Sequence, residues 1–384
     1  MKKETQSEFS VSEINSTHFF KEFTFNKNEF VIDKNELELS DNIVWIGDLM
    51  FFIEIKERNN QNSTENNDKW FLNKVLKKAK TQIKNTHKYL NEHKCIPIIN
   101  KRNQKIEISL KDNSIIHNII LYLCELDLEN KNRNLKFTKS KIQGFIHIFE
   151  IKIYNFLCDK LITPSELSDY LNFRAKFIEY YIQNIDLYSE YYILSHFINN
   201  ENIKEINFDY LSNLDNINND KSDYDFKDYL HIFYERLVLI EKENNNEYHK
   251  IITEIAKLKR YELSEFLLRF KKSINHCKNN EQILPYQFVN ENHNCGFVFL
   301  PIQKKDIPEW KIMARNAGEI FKYRHKLNKC ISIVFYKEVN SFMIIWMFNE
   351  NKWVFDEVLE TINKEMSLML GPPELKKLKR YNTE

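Results

Sequence analysis

Asp41, Glu54 and Lys56 are the residues of this chain whose types and spacing could do chemistry together. Two carboxylates and an ammonium suit hydrolysis of a phosphodiester. Hard oxygen ligands hold a divalent cation, which offsets charge building on the phosphate and acidifies a bound water. The ammonium can orient that water or stabilise the transition state. The element that must bring the three together is a β-hairpin. Gly47-Asp48 separates two apolar runs, 43–46 and 49–53, and glycine accepts the positive φ required at the first central position of a type II′ turn. With Ile46 opposite Leu49, Trp45 falls opposite Met50, Ile43 opposite Phe52, and Asp41 opposite Glu54 with Cβ atoms about 4.5–5.5 Å apart. Lys56 comes next on the same face. Like charges directly opposite are destabilising, so the pair makes most sense with a divalent cation between them. Asp48, the more conspicuous acid, becomes a turn residue.

Asp41 followed thirteen positions later by Glu54-Ile55-Lys56 resembles the PD-(D/E)xK motif of restriction-endonuclease-like nucleases, with Ser40 where the motif is named for proline. The wider string, residues 38–41 with 53–58, resembles a bacterial subgroup associated with defence and mobile elements. The resemblance implies an α/β core, a restriction-endonuclease-like mixed sheet flanked by helices, and a Mg²⁺-dependent deoxyribonuclease for which Mn²⁺ can substitute. It implies Asp41 and Glu54 as metal ligands, the Ile55 carbonyl completing the shell, and Lys56 handling the attacking water. In related nucleases a Gln on the following helix aligns these groups, and Gln82 matches in kind. The fuller Q-x-x-x-Y pattern is not kept, since position 86 is Thr and the Tyr comes at 89. Many relatives add a metal-binding Glu from the first helix, here expected over 12–23; Glu13 and Glu22 are both candidates. A role in anti-phage defence is implied by the resemblance alone. RNA as substrate, or a catalytically inactive nucleic-acid-binding or regulatory protein on the same core, are the alternatives.

The net charge of +1 hides an asymmetry. Residues 69–105 hold eleven Lys or Arg against one acid, Glu92, a stretch able to neutralise phosphates. Apolar residues at 72, 75, 76, 79, 83 and 90, with Thr86 in step, have a helical period. The lysines take the remaining face, and Lys74, Lys77, Lys78 and Lys84 are the expected phosphate contacts, with DNA favoured over RNA. The polar run 59–68 reads as a loop bordering the substrate channel. Strands are expected at 105–110, 115–123 and 144–149, with His117 and His147 as structural histidines.

A helical texture begins near 150, giving three expected portions: a nuclease-like domain over 1–150, a mainly helical one over 151–287 and a small β-α-β-β domain over 288–384. Thr163-Pro164-Ser165-Glu166 signals a capped helix start, and further helices are expected at 229–240 and 248–274. Acids between 201 and 228 mark a solvent face, a partner surface or a cover over the basic segment. In the last portion a helix beginning near 306–310 would present Lys311, Arg315, Lys322, Tyr323, Arg324, His325 and Lys326 as a second basic face. Residues 151–384 are where a homo-oligomeric or regulatory contact is expected.

Composition, with 42% hydrophobic and 14% aromatic residues over 384 positions, allows sizeable cores. No stretch approaches the roughly 18 apolar residues of a membrane span, and the first residues lack the apolar core of a signal peptide. No membrane partner and a cytoplasmic location are expected. Six cysteines without CxxC spacing fit reduced thiols.

Overall fold

A computed structural model of the chain describes residues 5–32, 35–58, 66–93, 95–111, 113–124, 127–214, 245–279, 284–290, 293–338 and 342–370. It divides into two compact units, Met1–Asp220 and Lys221–Glu384, where the sequence draws boundaries at 150 and 287. The helices between residues 150 and 220 therefore belong to the same unit as the N-terminal sheet.

In the first unit α1 (Gln6–Phe19) opens with a capping box. The Thr5 hydroxyl accepts from the Glu8 N–H and the Glu8 carboxylate takes the Thr5 N–H at 2.7 Å. The helix thus starts ahead of the expected 12–23 and stops where Phe20 turns to φ 70°. Then come β1 (Thr24–Lys27), β2 (Glu29–Ile32), β3 (Asn35–Glu38), β4 (Asn42–Ile46) and β5 (Leu49–Glu57). Next is a continuous helical rod: α2 (Asn67–Trp70), a π-helical stretch (Phe71–Lys78) and α3 (Ala79–Glu92). After it lie β6 (Ile96–Asn100), β7 (Lys105–Ile108), β8 (Ile115–Leu123), α4 (Asn130–Arg133), β9 (Phe137–Ser140), β10 (Gly144–Glu150), α5 (Ile151–Lys160), α6 (Pro164–Tyr180) and α7 (Glu190–Asn199).

Eight strands form one mixed sheet in the order β7-β6-β1-β4-β5-β8-β10-β9. β8 runs parallel to β5 and to β10, and the remaining neighbours are antiparallel. The expected hairpin is present in the expected register, Ile46↔Leu49 through Asn42↔Ile53, with Gly47 at φ 64°. Because β5 is flanked on both sides, it is an interior strand and eight of its nine residues are buried, which suits its nearly uninterrupted apolar run.

Alternation along β5 sends Met50, Phe52, Glu54 and Lys56 to the face covered by the helical rod. There Phe71, Val75, Ala79 and Ile83 pack on Ile120, Tyr122, Ile146 and Ile148. Phe52 joins Phe25, Ile43, Leu90, Ile96 and Ile98. The opposite face carries Phe51 stacked on Phe19 of α1 and on His117, and is closed by α5 and α6 through Tyr154 to Asn15 and Ser168 to His117. Leu72, expected inside, is 47% exposed while Phe71 is fully buried. The i→i+5 bonding of the π-helical stretch widens the turn and brings residues four apart, 71, 75 and 79, onto one line. Thr163 caps α6 from its side chain, but the Glu166 carboxylate takes the Ile162 N–H at 2.9 Å, one residue ahead of the expected reciprocal bond.

The second unit contains α8 (Asn245–Ala256), α9 (Arg260–Asn279), β11 (Tyr286–Asn290), β12 (Cys295–Pro301), α10 (Trp310–Arg324), β13 (Lys329–Lys337), β14 (Phe342–Glu350) and α11 (Glu357–Leu370). Its four-stranded sheet runs β11-β12-β13-β14 with a parallel central pair, so the expected β-α-β-β unit gains an antiparallel strand at the front. α9 packs Phe266 and Phe270 on Phe297, Phe299, Phe335 and Trp346. α10 closes the other face, where Gly318 lies so near Ser332 that a Cβ would fall 2.6 Å from its hydroxyl. The second basic face is not continuous. Lys322 and Tyr323 are both buried: Lys322, four residues after Gly318, shares its sheet-facing side and pairs with Glu319 at 2.9 Å, while Tyr323 is covered by Trp353 and its phenol meets Glu360 of α11 at 3.0 Å.

All six cysteines are free, and among the described residues no helix is long and apolar enough to cross a membrane. Of the loop expected at 59–68, residues 59–65 lie outside the described residues and Asn67-Asp68 instead open α2, capped by Asn66; the helix expected at 229–240 and the acids from Asp215 onward also lie outside the described residues.

Candidate active site

The β4–β5 ladder ends at Asn42↔Ile53, and Asp41 lies one residue past it. Instead of continuing the strand, its Oδ2 accepts the Ile55 N–H at 2.7 Å and the Lys56 ammonium at 2.9 Å. The same ammonium reaches Glu54 Oε2 at 3.3 Å and the Ile55 carbonyl at 2.8 Å. Asp41, Glu54, Lys56 and the Ile55 carbonyl, the four groups expected together, therefore converge on one point. All three side chains are buried: Asp41 is 7%, Glu54 1% and Lys56 8% exposed.

Residues 39–41 are fixed by contacts that reach far along the chain. Asn28 Nδ2 donates to the Ser40 carbonyl at 3.0 Å, and Leu39 N–H donates to the Asn28 carbonyl at 3.0 Å. The Thr86 hydroxyl of α3 donates to the Leu39 carbonyl. Ser40 reaches the Ile53 carbonyl at 3.0 Å and Glu54 Oε1 at 3.3 Å. A hydroxyl at this position holds the second oxygen of Glu54, a contact that proline could not make. Sequence reasoning misses Asn28, Ser40 and Thr86 as supports. Each acts on a main-chain carbonyl distant in sequence, and no local spacing announces that.

Electrostatically the cluster holds two acids against one base. Burial, then the neighbouring Asp41 charge, pushes the Glu54 carboxyl well above the usual carboxylate range, with Lys56 only partly opposing. Burial works against the Lys56 ammonium, but the charges of Asp41 and Glu54 outweigh it and its pKa is raised. The lysine stays protonated at neutral pH, a single positive charge set against two carboxyl groups.

Gln82 sits on the α3 face toward the sheet, half-buried. Its Oε1 is buried without a hydrogen bond, and its carbonyl accepts from Thr86 at 3.2 Å. Among the described residues, no hydrogen bond joins Gln82 to Asp41, Glu54 or Lys56. Neither candidate for a third acid comes to the pair either. Glu13 pairs with Lys101 and Glu22 with Arg102, each at 2.9 Å. Among the described residues, no group of three or more His, Cys, Asp or Glu side chains is placed to hold a metal. A cation here would be held by two carboxylates and one carbonyl, an all-oxygen set suited to Mg²⁺ or Mn²⁺. Lys74, Lys77, Lys78 and Lys84 are exposed along the helical rod, while Lys80 is tied to the Lys139 carbonyl at 2.6 Å.

His117 and His147 both have protein partners, the Ser168 hydroxyl at 2.8 Å and the Arg174 guanidinium at 3.1 Å. His276 meets the Tyr286 hydroxyl at 2.8 Å. Compared with protein-family models, with curated proteins and with solved structures, the chain matches none.

Proposed function

We propose that the first unit is a restriction-endonuclease-like, Mg²⁺-dependent nuclease that hydrolyses DNA phosphodiesters. The observation that carries this reading is the convergence of Asp41, Glu54, the Ile55 carbonyl and Lys56 at the open end of an interior hairpin, beside a helical rod with a lysine face. Asp41, Glu54 and the Ile55 carbonyl would hold the ion, which when bound supplies charge neutralisation at the scissile phosphate. Lys56 would orient the attacking water through its ammonium. Lys74, Lys77, Lys78 and Lys84 would neutralise neighbouring phosphates and set the duplex in place, contacts that carry no sequence information. Bacterial anti-phage defence is the setting that the motif string suggests.

A second reading, a nucleic-acid-binding protein that does not cut, is favoured by one observation: Glu13 and Glu22 are committed to Lys101 and Arg102, and among the described residues no third carboxylate joins the pair. One assay separates the readings. Purified chain is given plasmid DNA and structured RNA side by side, with Mg²⁺ or Mn²⁺ and with EDTA. Under the nuclease reading DNA is cleaved, EDTA stops it, Asp41→Ala and Lys56→Ala each lower the rate about 100-fold or more, and the turn variant Asp48→Asn cuts like wild type. Equal cleavage by Asp41→Ala and wild type would sink the nuclease reading. DNA retention without cleavage, weakened by replacing the four lysines with Ala, would favour the second.

A further inference from the structure

Three oxygens from three different groups surround the Lys56 ammonium: Asp41 Oδ2 at 2.9 Å, Glu54 Oε2 at 3.3 Å and the Ile55 carbonyl at 2.8 Å. On the nuclease reading, these same groups hold the divalent ion. An ammonium has three protons and no acceptor, and here three acceptors take them. In this arrangement Lys56 has no donor left for a water or a phosphate. Nor is there room for both cations. Mg²⁺ demands oxygens at about 2.0–2.1 Å, which would set it within roughly 3 Å of the ammonium, in a pocket where Glu54 is 1% exposed and water screens little.

We propose, resting on the nuclease reading, that Lys56 is the resident counter-ion of the metal-free site, and that a divalent cation enters only by displacing its ammonium. Metal uptake and release of the lysine are then one coupled step. The cage is built to survive the exchange. Asp41 Oδ2 is also held by the Ile55 N–H at 2.7 Å, and Glu54 Oε1 shares the single Ser40 hydroxyl proton, at 3.3 Å, with the Ile53 carbonyl at 3.0 Å, so both carboxylates keep a main-chain or side-chain donor when the ammonium leaves. The free lysine is the form able to meet the attacking water, and without metal it is locked away. Coupling of this kind is reciprocal: whatever holds Lys56 outward, a substrate phosphate included, must tighten metal binding by the same factor.

The test uses the full chain and two readouts that need no turnover. The first is lysine acylation mapped by mass spectrometry, with and without saturating Mg²⁺. Lys56 should be protected without metal and label at least about fivefold faster with it, while the exposed Lys74, Lys77, Lys78 and Lys84 change little. The second is calorimetric titration with Mn²⁺, in which Lys56→Gln should bind at least about tenfold tighter than wild type, and Lys56→Arg, which keeps the charge, should not. If Lys56→Gln does not fold, labelling of the wild type decides. Metal binding and DNA cleavage with flat Lys56 labelling would overturn the displacement and leave the nuclease reading standing. Absence of divalent binding in both wild type and Lys56→Gln would overturn the two together.

Discussion

Two buried charge clusters lie on opposite faces of the large sheet, and they are built on different arithmetic. On the α6 side Arg174, fully buried, pairs with Glu190 through two bonds at 2.7 and 2.9 Å. It also donates to the Lys136 carbonyl and to His147 Nδ1, both at 3.1 Å, and lies 4.2 Å from the Phe149 ring centroid. Its neighbours stay neutral: burial, then Arg174, holds His147 well below its ordinary pKa, and burial, then Glu190, holds the Tyr170 phenol well above. A fifth bond, to the Ile148 carbonyl at 3.5 Å, takes the remaining donor, and in direct contact one acid meets one base. On the α3 side two acids face one base, and burial with like charge pushes Glu54 upward. A balanced buried network is structural; an unbalanced one, kept beside an exposed lysine face, is where, on the nuclease reading, a cation's charge would complete the count.

Breaking the balanced cluster should have the largest effect. Arg174→Met strands Glu190 in the interior and should cost about 3–5 kcal/mol, read as a fall in denaturation midpoint. A change under about 1 kcal/mol would show that the network is not a clamp. Next comes His117, which stands between the two clusters and whose pKa burial lowers to about 4 from 6.5. The folded state favours the neutral ring, so the stability it contributes is complete above pH 6.5 and is lost as pH falls toward 4. The unfolded chain takes the proton first. Over that window wild type should lose roughly 3 kcal/mol that His117→Gln does not; parallel pH profiles for the two proteins would refute this. The smallest effect has the opposite sign. Glu54→Gln relieves the surplus negative charge and should raise stability by about 1 kcal/mol at about pH 7.5, and on the nuclease reading it should also abolish cleavage, a trade typical of functional sites. If it instead destabilises on the scale expected of Arg174→Met, the two clusters are alike after all.

How much of the molecule is legible in the sequence depends on the length scale of each signal. The hairpin is legible to the residue because a two-residue turn fixes register and Gly47 marks it, and the register leads directly to Asp41, Glu54 and Lys56. β8 and β10 announce themselves by long apolar runs. β1 and β6 do not, since one is four residues long and the other contains Pro97, and both depend on partners remote in sequence. The π-helical stretch has no local signature and moves Leu72 outward. Lys322 reads as a surface residue until Gly318 fixes the sheet-facing side of α10, and Tyr323 until Trp353 and Glu360 come to cover it. The supports of the site, Asn28, Ser40 and Thr86, act across 12 to 47 positions onto main-chain atoms, a scale at which spacing is silent.

The two-residue turn also orders events in time. β4 meets β5 through Gly47-Asp48, whereas Leu49 meets Ile115 of β8 only after the helical rod has been threaded between them. Local hairpins close in microseconds and long-range parallel pairing is slow. The Asp41 and Glu54 carboxylates are thus brought together while still hydrated, when water screens their repulsion. The electrostatic penalty falls due late, as β8 and the helical rod dock and expel that water. By then Lys56 is already within reach, on the same face as Glu54 of a strand that has been aligned from the start.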